Sequence, residues 1–449
     1  MGGQNSKGWL GTRRRRVGGR GHYDGPVNAR RFEVVVIGGG HAGVEAAWAA
    51  ASLMGEGPQR DAGQRQPPVA LVTIDPSKIG VMSCNPAIGG LAKGQLVREI
   101  DALHGLMGLA TDATGIQFKV LNRSKGPAVH GPRAQCDKHA YAQRVQELIA
   151  GRSEIEVIAG MVEELTVQAD AVRGMVVRGR DGDAMRLEAG AVVLTTGTFM
   201  RGLMHTGETK TSGGRFGEAS ATGISGALAA LGFELGRLKT GTPPRLKRGT
   251  IRWEELEPAL GDADPAPFSD VTREMLGYAR DACAPEGKDD HGIATCVSGN
   301  ARFPVLPQVE CRQTQTTAAA HDLIRANLHR APMYSGQIES AGPRYCPSIE
   351  DKVVRFADRE AHGVFLEPES LRDDWIYCNG ISTSLPADVQ DSIVRSMPGC
   401  EAAEVYRYGY AVEYDMVRPH QIDASGMTKR VRGLFLAGQI NGTSGYEEA

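Results

Sequence analysis

The stretch FEVVVIGGGHAGVEAAWAAASLM (residues 32–54) decides how the rest of the chain is read. Its opening run from Phe32 to Ile37 is β-branched and, after Glu33, without a polar residue, the pattern of a strand buried on both faces of a parallel sheet. Gly38, Gly40 and Gly43 follow in G-x-G-x-x-G spacing, and the alanine-rich run from Ala42 to Met54 favours a helix. In a strand–turn–helix unit of this kind the first glycine permits the tight turn. The second lets the backbone approach a pyrophosphate, and the third lets the helix pack on the strand. The positive end of the helix then faces the phosphates. A dinucleotide site is the expectation, within an α/β, Rossmann-like fold.

Working outward, residues 55–68 (GEGPQRDAGQRQPP) have the composition of a solvated loop, and a second apolar strand (VALVTI, residues 69–74) ends at Asp75. An acid at that strand end binds ribose hydroxyls in the ordinary fingerprint. The inserted loop disturbs the usual spacing here. A glycine-rich loop, MSCNPAIGGLAKGQ (residues 82–95), carries Cys84 next to Asn85-Pro86, which favours a loop thiol over a buried one. Basic residues recur from Lys93 to Lys138 (Arg98, Lys119, Arg123, Lys125, Arg133), a pattern that suits either phosphate contacts or a solvated face. AVVLTTGTF (residues 191–199) reads as another buried strand running into a second nucleotide contact. In GRLKTGTPPR (residues 236–245), Lys239, Thr240 and Thr242 are candidate anion ligands, and the double proline suits a domain crossover.

Further on, GPRYCPSIEDKVVRF (residues 342–356) crowds charge around a cysteine. With Pro347 in the first turn of a helix over residues 348–356, Cys346 would lie at its N-cap, where the dipole and Arg344 favour a thiolate.

The 449 residues suggest roughly three domain-sized units. A net charge of -2 makes no global electrostatic case for nucleic acid, so such a partner would need a local basic face. No apolar run approaches the ~20 residues that span a bilayer, so no membrane association is expected. The eight cysteines contain no C-x-x-C pair, which argues against a zinc cage or a dithiol redox centre and for reduced thiols. Residues 1–31 are arginine-rich with one acid, Asp24, and suit an organelle transit peptide, a disordered tail or an RNA-touching arm.

Taken together, GGGHAG (38–43), SCNPAIGG (83–90), LNRSKGPAV (121–129), LTTGTF (194–199), GRLKTGTPPR, GPRYCPSIEDK (342–352), NGISTSLP (379–386) and AGQINGTSGYEEA (437–449) closely resemble the MnmG family, also called GidA. The resemblance runs from residue 32 to the end. It implies an FAD-dependent enzyme that installs a carboxymethylaminomethyl-type group on C5 of the tRNA wobble uridine. NADH would be the hydride source, 5,10-methylenetetrahydrofolate the one-carbon donor, and the partners an MnmE-type GTPase and a second copy in a homodimer. By motif, Gly38, Gly39, Gly40, His41, Ala42, Gly43, Val162 and Gln439 fall at family FAD positions. Gly342, Pro343, Arg344, Tyr345, Ser348, Glu350, Asp351, Lys352 and Phe356 fall on the NAD-binding segment. Cys84 and Cys346 match two functional cysteines, with Cys346 assigned to attack uridine C6 and Cys84 to assist beside the flavin.

The implied architecture is a glutathione-reductase-type FAD domain (32–245, returning at 419–449) with an inserted α/β NAD-binding or substrate domain (246–418). With residues 1–31 read as a transit peptide, the location is mitochondrial or in another organelle; otherwise it is cytoplasmic. A family serine that contacts FAD falls near Ala221, beside Ser220, and the chain is expected to be a fragment or to lack the family's C-terminal helical region. The competing readings are a folate- and FAD-dependent tRNA uracil-5 methyltransferase, a flavin disulfide reductase, and an FAD-binding subunit that only scaffolds a partner.

Overall fold

The computed structural model describes residues 30–55, 67–281, 303–338 and 347–443. The strand Arg30–Ile37 runs into the glycine turn and the helix His41–Met54. This strand is central in a seven-stranded sheet. Val69–Thr73 and Ala184–Leu194 flank it in parallel, with Ile155–Ala159 outside the former and Leu434–Leu436 beside the latter. The sheet is completed by an antiparallel meander of Met161–Gln168, Ala171–Arg178 and Ala184–Leu194.

Where these strands cross the middle of the sheet, at residues 34–37, 69–72 and 191–194, they are apolar because both faces are covered. On one side Val36 and Leu71 pack with Val44, Ala47 and Trp48 of the first helix and with Tyr141 and Val145. On the other, Val35, Ile37, Val192 and Leu194 pack with Ile224, Leu228 and Ile440. Each fully buried valine or leucine contributes about 1.5–3 kcal/mol, so these two layers fix the sheet's position.

Three antiparallel sheets surround it. One orders Thr209–Ser212, Leu203–Thr206, Tyr410–Val417 and Leu235–Thr242. A six-stranded sheet orders Glu257–Ala259, Cys311–Gln315, Gly363–Pro368, Trp375–Asn379, Arg245–Lys247 and Val405–Arg407. Helices Ala318–Asn327, Ile349–Arg355 and Ala387–Arg395 contribute to its core. The third joins Ala87–Gly89, Gly131–Cys136 and Gly115–Leu121. The chain therefore passes from the four-stranded to the six-stranded sheet at Pro243-Pro244 and returns at Gly409. Neither proline has an N–H to offer a ladder, which suits them to that crossing.

A seam of buried charge joins the six-stranded sheet to the three-stranded one. Arg133 meets Glu367 at 2.8 Å, Lys138 meets Glu369 at 2.7 Å and Arg245 meets Glu369 at 3.0 Å. Asp137 accepts from Ser370 Oγ and the Leu371 N–H. No helix among the described residues is long and apolar enough to cross a membrane.

Candidate functional site

At the carboxyl ends of the parallel strands lies a cavity of about 400 Å³. Its walls come from successive strand ends: Ile37 to Ala42, Val72 to Asp75, Gly160 to Val162, Thr195 to Phe199 and Ala437 to Gln439. This is the crevice where open α/β sheets bind ligands. Of the residues expected to hold FAD, Gly38, Gly39, Gly40, His41, Ala42, Val162 and Gln439 line it. Gly43 lies behind the wall, where a Cβ would fall 1.8 Å from the Gly38 carbonyl oxygen, so it serves packing.

Gly40 differs. It is the N-cap of the first helix, with extended backbone and no side-chain hydrogen bond to the first turn, and a Cβ there would meet no protein atom within 4 Å. Nothing in the protein demands a glycine at that point, whereas a pyrophosphate drawn close to the first-turn N–H groups would. Thr196 Oγ1 and Gln439 Oε1 are buried at the same cavity without a hydrogen bond among the described residues. These features fit a dinucleotide cofactor.

Asp75 does reach the cavity despite the inserted loop, because Val69–Thr73 pairs in register with the first strand. Its carboxylate accepts from Ser77 N and Oγ and lies 2.9 Å from Arg180. The Ser77 hydroxyl and, less strongly, Arg180 hold its pKa below the usual carboxylate value. Ala221 also lines the cavity. Its neighbour Ser220 bonds to Ser212 Oγ at 2.8 Å.

Cys84 opens onto the same cavity. Its Sγ lies 3.7 Å from both the Gly241 carbonyl and the Tyr377 hydroxyl. The loop is held by Arg245, which donates to the Cys84 carbonyl at 2.6 Å, to the Pro243 carbonyl at 2.9 Å, and to Thr242 Oγ1 and Glu369. The Arg245 guanidinium also lies 4.8 Å from the Tyr377 ring centroid. Burial alone would depress Arg245, but Glu369 together with Tyr377 and Cys84 more than offsets it and raises the guanidinium above its ordinary value. Burial likewise opposes the charge on Glu369, yet Arg245 and Lys138 hold that carboxyl below its ordinary range.

The remaining described cysteines are of another kind. Burial pushes Cys136, Cys311 and Cys400 up to about 12, and Cys378 well above the ordinary thiol value. They are protonated at neutral pH, so Cys84 is the thiol with access to the cavity among the described residues.

Two expectations change. Lys239 is not an anion ligand of the cavity: strand alternation sends Thr240 and Thr242 into it and Lys239 to the reverse face, buried opposite Glu413. Most of the basic run is used internally, Arg98 on Asp270, Arg123 on Asp262, Lys119 on the Leu260 carbonyl and Arg133 on Glu367.

The described part of the segment matched to NAD binding, residues 347–356, does not line this cavity. Gly342, Pro343, Arg344, Tyr345 and Cys346 lie outside the described residues. The helix Ile349–Arg355 takes Ser348 as its N-cap, closed by a capping box with Asp351, so the cap is not Cys346. A serine hydroxyl accepts the N3 N–H far better than a thiol does, and Pro347 is displaced to the position before the cap. Glu350 Oε1 accepts from Thr383 Oγ1 and the Ser384 N–H, while Oε2 is buried without a hydrogen bond among the described residues. Lys352 donates to the Gly380 carbonyl at 2.8 Å, and Phe356 is half exposed. Residue-type reasoning missed Arg245, Tyr377 and Glu369. Arg245 closes the GRLKTGTPPR motif, and a charged residue straight after a double proline was the available signal.

Residues 33–286 and 282–449 match the model of the family described as glucose inhibited division protein A, GIDA. A Rhodopirellula baltica protein named tRNA uridine 5-carboxymethylaminomethyl modification enzyme MnmG is 51% identical over 434 residues, covering 94% of this chain and 60% of that protein. A Granulibacter bethesdensis protein of the same name is 49% identical over 93% of the chain and 60% of its own length. A solved structure of Aquifex aeolicus GidA superposes with a TM-score of 0.78 at 45% identity, over 93% of this chain and 63% of that one. The chain thus spans about 60% of the length of these relatives. By sequence and by fold, the chain belongs to the GidA (MnmG) family.

Proposed function

We propose that this chain is the FAD-binding and catalytic portion of an enzyme that modifies C5 of the wobble uridine of tRNA, installing a carboxymethylaminomethyl-type group. The observation that carries the reading is that a loop thiol, Cys84, and a glycine turn built for a dinucleotide share one cavity. The names of the relatives support the tRNA uridine substrate. NADH as reductant, 5,10-methylenetetrahydrofolate as one-carbon donor, an MnmE-type GTPase partner and a homodimer extend the proposal. So does a division of labour in which 32–245 and 419–449 hold the flavin and 246–418 serve the nicotinamide and substrate.

In this reading the N–H groups at the start of His41–Met54 bind the pyrophosphate, and Asp75, Thr196 and Gln439 meet the rest of FAD. The flavin supplies hydride chemistry when bound. Uridine C5 is a weak nucleophile until something adds to C6. The Cys346 thiolate forms the S–C6 bond, and the C5=C6 pair moves into the enolate; C5 then bonds the methylene carbon of the folate donor as one of that carbon's two C–N bonds breaks, its electron pair staying on the folate nitrogen. Loss of the C5 proton to a base then drives elimination, breaking S–C6 and returning the thiolate. Cys84 assists from the cofactor side, its loop fixed by Arg245.

The test is mass spectrometry of wobble uridine from a strain lacking its own family member. That strain would be complemented with this chain joined to the remaining C-terminal portion of a relative. Restored modification, lost on Cys84→Ser or Cys346→Ser, is expected. Restored 5-methyluridine, or modification unaffected by either serine, overturns it.

A further inference from the structure

Beside the cavity mouth four side chains form a continuous stack that the chemistry above does not use. The Arg407 guanidinium lies 4.5 Å from the Phe216 ring centroid and 4.8 Å from that of Trp375. Trp375 stacks on Tyr406, centroids 5.1 Å apart and planes inclined at 25°. Both ends are open: Phe216 is 55% exposed and Tyr406 49%. Lys138 adds a second cation, 4.4 Å from the Trp375 centroid.

The Phe216 end abuts the cavity. Its N–H donates to the hydroxyl of Tyr410, a wall residue, and its neighbour Arg215 donates to Ser83 Oγ, next to Cys84. Among the described residues no carboxylate forms an ion pair with Arg407. Burial, with Arg245 nearby, lowers its pKa, against the opposing pull of Tyr410 and Glu369. Rings cover its faces, which leaves its edge N–H groups to donate in plane.

Unpaired RNA is recognised by this combination: bases stack on aromatic and guanidinium planes while basic groups follow the phosphates. An apolar protein partner would not call for a cation in the middle of the stack. We propose that the Phe216–Arg407–Trp375–Tyr406 stack is a track for the unpaired nucleotides flanking the target uridine, with the neighbouring base on Phe216 and its phosphate on the Arg407 edge. This rests on the RNA reading above and deepens it by naming how the substrate strand reaches the cavity.

The test uses the flavin-loaded chain and a seven-nucleotide single-stranded RNA carrying a central uridine, with 5-iodouridine beside it for photo-crosslinking. Phe216→Ala should weaken binding about tenfold with the salt dependence unchanged, while Phe216→Trp, which keeps a stacking plane, should bind as the parent does. Arg407→Met should weaken binding and lower the slope of log K against log salt by roughly 0.7, the value of one single-strand phosphate contact. The crosslinked peptide should contain Phe216. Parent-like affinity of both Phe216→Ala and Arg407→Met, or a crosslink elsewhere, overturns the track while leaving the RNA reading standing. A parent with no measurable affinity for the RNA removes both. A change in sedimenting mass on Phe216→Ala without a change in RNA affinity assigns the stack to self-association and also overturns the proposal.

Discussion

The glycine turn at 38–43 and the segment at 347–352 look alike as sequence, each a dense motif at a helix start, yet they are finished differently. In the first, hydrogen-bonding capacity is left open: Gly40 has no side-chain cap to offer, and Thr196 and Gln439 keep buried oxygens without protein partners among the described residues. In the second, Ser348 and Asp351 close on each other, Lys352 on Gly380, and Glu350 on Thr383 and Ser384, with Glu350 Oε2 left over among the described residues. A motif that awaits a ligand shows its unfilled donors and acceptors, whereas one that organises the chain uses them up.

The largest effect expected from this comparison separates two glycines of one motif. Gly43→Ala forces a Cβ into the Gly38 carbonyl and should abolish soluble, flavin-retaining protein. Gly40→Ala meets no protein atom, so it should cost at most about 1 kcal/mol of stability while weakening FAD by tenfold or more. Flavin fluorescence titration and a denaturant melt read the two quantities. A Gly40→Ala protein with parental FAD affinity would erase the contrast.

Arg245→Met comes next. It strands Glu369 beside Lys138 alone and frees the Cys84 loop, and should destabilise the fold by about 3–5 kcal/mol in urea. The pH dependence follows from Glu369, whose folded pKa lies below its unfolded value of about 4.5. Its contribution is complete above that value and is lost as pH falls through the lower, folded one. Acid unfolding should therefore weaken its dependence on pH below about 4.5 in Glu369→Gln, as acid titration of the two proteins would reveal.

Iodoacetamide at neutral pH should label Cys84 and leave Cys136, Cys311, Cys378 and Cys400 unmodified, as peptide mass mapping would read out. The smallest effect is at the capped helix. Ser348→Ala should cost about 1 kcal/mol, with FAD affinity unchanged. A loss of flavin there would mean that the two helix starts are not independent.

Local patterns carried the strand–turn–helix because every contact behind it lies within a few residues or in the pairing of obviously apolar strands. They also contained the Ser348 cap, since S-x-x-D is a capping box. What holds Cys84 was not legible: Arg245 is 161 residues away in sequence and Tyr377 is 293. Lys239 misled for a different reason. Its strand register, which a one-residue shift would invert, is set by Tyr410–Val417, far along the chain.

The seam of Arg133, Lys138 and Arg245 against Glu367 and Glu369 has one more effect. Separating the two sheets would expose charges that are mutually neutralised only while both remain in place, so neither is free to melt first. Heat should therefore take down the six-stranded and three-stranded sheets in one cooperative event, which coincident melting of probes placed on each would show.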